Sequence, residues 1–319
     1  MIRRRVLVPA LALPSATARA QAQPARVGLL HPRLPAPVEP LRLAAVREGL
    51  AEAARSNRPV EVVARVADGS AEMLRALAKE LAGARLDAIV AVSPSGVDAA
   101  RDATRTTPIV AIDLETDPVA AGWVASLARP GGNVTGVFFD VDDFAAKCLQ
   151  ILAEAVPGLS RVGALWDPST GGYQRAAEPA VRMGITLDPR PANTLVDVEL
   201  AVRALAADGA DALLILSSPL FSVNTAAIAA MANATRLPAV MLLPDFARNG
   251  GLVAYGPDLQ DLFRRAGAMA RRIVDGARAS ELPVERPVRF NLVLNLRTAK
   301  ALGLDIPPFL LARADEVVE

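Results

Sequence analysis

The 319-residue chain contains one histidine, His31, and one cysteine, Cys148. A Ser-His-Asp relay would have to be built on His31 alone, and no second histidine is present to join it in a zinc site. Phosphate chemistry lacks its loops. There is no G-x-x-x-x-G-K-[ST], and the turn Leu30-His31-Pro32-Arg33-Leu34 has none of the glycines of a dinucleotide fingerprint. Gly131-Gly132-Asn133-Val134-Thr135-Gly136 is glycine-rich but leads into a β-branched run, and Asp140-Val141-Asp142-Asp143 lacks the glycine and spacing of a calcium loop. The remaining chemistry sits just beyond short apolar runs. His31, Ser93, Ser95 and Asp113 hold such places in the first part of the chain, and Asp167, Ser169, Ser217, Ser218, Asp245 and Tyr255 in the second. Hydroxyls and carboxylates so placed suit capture of a small polar solute without cofactor or metal.

The runs that carry these residues read as buried strands alternating with helices. Arg26–Leu30, Val60–Val66, Asp87–Val92 and Pro108–Ile112 are strands, separated by helical patterns over Val38–Arg55, over Ser70–Leu81 and up to about Thr104. Asp117–Phe139 reads as a helix capped by Asp117, started by Pro118 and stopped at Arg129-Pro130-Gly131-Gly132, followed by a strand leaving for a second lobe. The order then returns. A helix over Asp142–Val156 enters, Arg161-Val162-Gly163 repeats Arg26-Val27-Gly28, Asp211–Leu216 echoes the strand from Asp87, and Leu237–Met241 echoes the strand from Pro108. The tail adds a strand at Leu252–Tyr255, a long helix over Leu259–Ala277, a strand at Val288–Leu294, and a short helix Leu296–Leu302 capped by Asn295 and ended at Gly303. This predicts an α/β fold of two Rossmann-like lobes, each a parallel sheet flanked by helices, joined by a hinge of several crossings. Residues 21–136 with about 256–290 form lobe 1, and 137–255 with about 291–319 form lobe 2.

In parallel sheets ligands bind outside the carboxyl ends of the strands, so two facing lobes place those ends along one cleft. His31, Arg33, Ser93, Ser95, Asp113 and Glu115 line one wall, and Asp167, Ser169, Thr170, Ser217, Ser218, Asp245 and Phe246 the other. Ser95 caps the following helix, or that helix start receives a ligand carboxylate, or both. Asp113 and Asp245 end equivalent strands and either bind a ligand ammonium or close a turn. His31 is a strand-end hydrogen-bonding group or a ligand contact. Tyr255 touches ligand or packs the hinge. Trp166 and Cys148 read first as core.

Apolar residues make up 52% of the chain, so burial is no obstacle. Arg3–Arg5, the apolar Val6–Leu13 and the small-x-small Ala18-Arg19-Ala20 read as a secretory signal peptide over residues 1–20. Its removal would take four arginines and no acidic residue, shifting the net charge from +1 to −3. That balance, with no basic block, disfavours nucleic acid. A periplasmic monomer binding a small-molecule ligand is the expectation.

Two stretches resemble a known family. Asp117-Pro118-Val119 followed by Leu127-Ala128-Arg129-Pro130-Gly131-Gly132-Asn133-Val134-Thr135-Gly136 is one. The tail is the other: Leu282-Pro283-Val284-Glu285, Asn295 to Leu304, Ile306-Pro307-Pro308 and Arg313 to Val317. Both resemble the ABC-transporter substrate-binding proteins of the tryptophan/tyrosine-uptake type, over essentially the whole mature chain. Arg286 stands where that family usually has Gln, and Asn291 where it usually has Glu. The resemblance implies a type I periplasmic-binding fold, no enzymatic activity, and delivery of a solute, in some relatives an aromatic amino acid, to an inner-membrane permease with its ATPase. A ligand-sensing subunit for a receptor kinase or chemoreceptor would use the same cleft. The family motifs fall in scaffold and hinge, so they carry no ligand across with them.

Overall fold

The computed structural model describes residues 23–33, 39–139, 141–168, 170 and 173–319. The signal peptide read over residues 1–20 and the candidate Ser169 lie outside the described residues. The first part of the chain runs β1 (Ala25–His31), α1 (Glu39–Glu52), β2 (Val60–Val66), α2 (Ala71–Gly83), β3 (Ala88–Val92), α3 (Ser93–Ala103), β4 (Ile109–Asp113) and β5 (Val134–Phe138). The second runs α4 (Val141–Ala155), β6 (Arg161–Trp166), α5 (Gln174–Arg182), β7 (Thr186–Pro191), α6 (Leu195–Ala207), β8 (Ala212–Ile215), α7 (Pro219–Val223), α8 (Thr225–Ala234), β9 (Ala239–Met241), α9 (Pro244–Arg248) and β10 (Val253–Pro257). The tail adds α10 (Leu259–Val274), β11 (Phe290–Asn295), α11 (Leu296–Leu302), α12 (Pro308–Leu311) and β12 (Glu316–Val318). Among the described residues no helix is long and apolar enough to cross a membrane.

The strands form two sheets, β2-β1-β3-β4-β5 and β12-β11-β10-β9-β8-β6-β7. The echo read in the sequence is a repeat of topology, since β7-β6-β8-β9-β10 retraces the order of the first sheet. Every pairing is parallel except β10 with β11. Strict alternation drives the layering. In β3, Ala88, Val90 and Val92 pack beneath α1 and α10, while Ile89 and Ala91 face α2 and α3. Helices therefore cover both faces, which is what a strand apolar on both sides requires. Cys148 lies in the core between α4 and the second sheet.

Between β4 and β5 the structure departs from the predicted helix. Asp117 does cap, its Oδ1 accepting from the amides of Val119 (2.9 Å) and Ala120 (3.1 Å), but only one turn follows. Gly122, at φ +67°, ends it. The next two residues, Trp123 and Val124, are both buried against the first sheet.

Three segments connect the sheets: Phe139 between β5 and α4, Asp258 between β10 and α10, and the stretch ahead of β11. The last lies along β5. Glu285 N donates to the Gly136 carbonyl (2.9 Å), Phe138 N to the Glu285 carbonyl (3.0 Å), and Val284 N to the Leu127 carbonyl (2.8 Å). Leu282–Glu285 of the tail stretch and Leu127–Gly136 of the first thus meet through their backbones beside β5.

Candidate functional site

The carboxyl ends of the two sheets meet. The meeting point is Glu115, two residues past β4, whose Oε1 accepts a 2.6 Å hydrogen bond from Ser217 Oγ past the end of β8. Burial pushes the Glu115 carboxyl up to about 8, and the neighbouring charges of Asp113 and Asp167 add to the rise. Asp113 is fully buried. Its Oδ1 accepts from the amides of Glu115 and Thr116, each at 2.8 Å, which closes the turn after β4. Its Oδ2 is buried with no hydrogen-bond partner. Desolvation lifts Asp113 to about 6 against the lowering effect of those two amides. Across the junction Asp167 accepts from Ser218 Oγ at 2.6 Å, and that hydroxyl also receives Leu220 N at the start of α7. Thr170 Oγ1 donates to the Asp167 and Ser217 carbonyls, binding the ends of β6 and β8 together.

Glu115 and Asp113 thus share a desolvated junction between two sheets, beside Asp167, and burying two like charges together favours protons or a bound cation. Among the described residues no group of three His, Cys, Asp or Glu side chains is placed to hold a metal ion. The chemistry fits an organic ammonium with several N–H donors. Trp166 adds a donor at the same strand end. Its indole stands edge-on to Tyr173 at 5.4 Å, and its Nε1 is buried without an acceptor.

On the first sheet, β3 passes into α3 through Ser93, a buried non-glycine residue at φ +66°. Such a backbone is strained, and strain of this kind concentrates at functional sites. Ser95, read as a cap, does not cap; it shares a 3.1 Å hydroxyl contact with Ser93, and no side chain caps α3. Pro94 in the first turn preorganises the helix start, and the exposed amide end of the dipole suits a carboxylate.

His31 ends β1 and stacks on Phe263 of α10 at 6.3 Å, with Arg42 over the other ring contact at 5.0 Å from the centroid. Burial, reinforced by Arg42, pushes the imidazole down to about 3. His31 is therefore neutral, and because Nδ1 accepts from Arg33 N its proton sits on Nε2. Asp245 stands apart from the carboxyl group cluster: it is exposed, pairs with Arg248 at 3.1 Å, and acts on Arg42 across the mouth. Tyr255 lies at the hinge, stacked on Phe290. The structure adds Arg42, which spacing alone did not single out, and makes Glu115, read as one of several cleft-lining groups, the meeting point of the two sheets.

Two doubly wound sheets joined by three crossings, with their carboxyl ends opposed, define the type I periplasmic-binding class. The family described as ABC transporter substrate binding protein matches residues 38–318, and the chain belongs to it. It is 25% identical over 236 residues to a tyrosine-binding protein of Clostridioides difficile, covering 72% of this chain and 67% of that one. Among solved structures it resembles an ABC domain from Streptococcus pneumoniae in complex with L-Trp, with TM-score 0.83 and 22% identity over 93% of this chain and 100% of the other. A conserved domain protein from Vibrio cholerae is equally similar in fold, with TM-score 0.83 and 23% identity over 92% and 100%.

Proposed function

We propose that this protein captures an amino acid, with aromatic side chains the first candidates, between its two sheets and delivers it to the permease and ATPase of an ABC importer. The observation that carries this is the buried carboxyl group cluster of Glu115, Asp113 and Asp167 at the sheet junction. A ligand ammonium takes the unpaired Asp113 Oδ2 and the Ser217-bound Glu115, and its carboxylate takes the uncapped start of α3. Trp166 Nε1, Ser93 and the Nε2 proton of His31 complete the polar set. The relatives named for tyrosine and L-Trp support the side-chain class. The role is binding and release rather than turnover, in the periplasm after signal-peptide removal. The lobes are residues 21–136 with about 256–290, and 137–255 with about 291–319; α10 packing on the first sheet and β11 joining the second support that division.

Isothermal titration of the exported protein with L-tryptophan, L-tyrosine, tryptamine and indole-3-acetate tests the assignment. Binding at the junction should require the amine, so indole-3-acetate should not displace L-tryptophan one for one, and Glu115→Ala should weaken L-tryptophan binding by at least about 1.5 kcal/mol, roughly tenfold. A preference for neutral sugars with no response to any amine would remove the proposal.

A further inference from the structure

A second concavity lies away from the carboxyl group cluster. It encloses about 710 Å³ between α4, the end of α5 and the hinge, within the size range of small-molecule sites. Four of the twelve aromatic residues of the chain line it: Phe139, Phe144, Tyr255 and Phe290. They form a connected platform. Tyr255 stacks on Phe290 at 5.7 Å and 14°, and on Phe144 at 6.5 Å and 7°. Phe139 closes the set against Phe144 at 5.2 Å. Among the described residues the charged groups that line this concavity are basic: Lys147 and Arg182, with Arg286 already engaged by another group. Among the described residues Lys147 bonds a neutral amide, Gln150 Oε1 at 3.0 Å, and the Arg182 pair with Glu178 is exposed and therefore weak.

We propose that this hinge pocket is a second binding site, selective for a small aromatic carboxylate that carries no ammonium group. Aromatic faces receive a flat ring, and basic groups at the edge attract its anion and repel a cation. The preference is opposite to that of the acidic junction between the sheets. The site also touches the crossings themselves. Phe139 is on the first, Pro287 and Phe290 are on or beside the third, and Tyr255 lies within β10 just ahead of the second. Occupancy therefore biases the hinge, and binding at the two sites is coupled.

Indole-3-acetate is the probe, titrated into the full exported protein with and without saturating L-tryptophan. The expected result is one bound indole-3-acetate in either case, with an affinity changed but not abolished by L-tryptophan. Met183→Glu and Lys147→Glu each place a carboxylate at the pocket, and each should weaken the probe by about tenfold or more while the protein still binds L-tryptophan. Met183 is 39% exposed, so its substitution spares the core. Absence of probe binding at millimolar concentration overturns the proposal, as does an affinity indifferent to both variants or one-for-one displacement by L-tryptophan. If L-tryptophan binds and the probe does not, only the second site is lost; if the probe binds at the pocket and no amino acid binds, only the assignment of the junction is lost.

Discussion

Glu115 shows how far burial changes what a carboxyl group does. In the unfolded chain it ionises near 4.5; at the junction it is pushed up to about 8, first by desolvation and then by Asp113. The folded chain holds the proton where the unfolded chain has released it, so this residue's contribution to stability falls as pH rises from about 4.5 to about 8. Glu115→Gln should flatten that slope in urea titrations across the same range. A bound ammonium reverses the preference by favouring the ionised form. Ligand binding at pH 7 should therefore release a proton from Glu115, read as a binding enthalpy that depends on the ionisation enthalpy of the buffer. A buffer-independent enthalpy would mean that no ammonium reaches Glu115.

At the scale of elements, the placement of α10 decides which sheet the tail belongs to. It packs on α1 so closely that a Cβ on Gly49 would fall 1.7 Å from the Arg264 carbonyl oxygen, and one on Gly267 would fall 2.2 Å from that of Val46. Backbone clashes of this kind cannot be relieved by turning a side chain. Gly49→Ala should cost about 3 kcal/mol or more, seen as a lower urea midpoint. Gly83→Ala, at the end of α2 with no neighbour within 4 Å, should be neutral or stabilising by about 0.5 kcal/mol. A gain at Gly49 equal to that at Gly83 would show that helix propensity, not helix contact, governs the first. Further support for α10 comes from Arg271, which pairs with Asp275 at 3.0 Å and donates to the Ser56 and Arg58 carbonyls ahead of β2.

For the molecule as a whole, the contact between Glu115 and Ser217 joins groups 102 residues apart and holds the sheet ends together. A ligand shifts a hinge only through contacts that differ between open and closed forms. Ser217→Ala removes one such contact, so the unliganded protein should become more open, with a larger radius of gyration by small-angle scattering. Apparent affinity should fall several-fold, in proportion to the competent fraction. An unchanged scattering profile together with weakened binding would assign Ser217 to the ligand alone.

Local pattern determined much of this protein. Strand β2 and helix α11 lie where periodicity and capping put them, with Asn295 Oδ1 accepting from Thr298 N at 3.0 Å, because caps and alternation act over a few residues. The absence of phosphate loops and the repeat of strand order were legible for the same reason. Strand β7, Thr-Leu-Asp-Pro-Arg-Pro, was not: it has no apolar alternation, and β6 holds it as a sheet edge that tolerates proline. The early stop after Asp117 falls at Gly122, whose positive φ turns the chain so that Trp123 and Val124 pack on the first sheet. The electrostatics of the site belong to this second kind, although its residues were legible as strand-end groups. An acid two residues past a strand is an ordinary surface charge until another sheet removes its water and places Asp113 and Asp167 beside it, and desolvation of that kind arises only when distant parts of the chain meet.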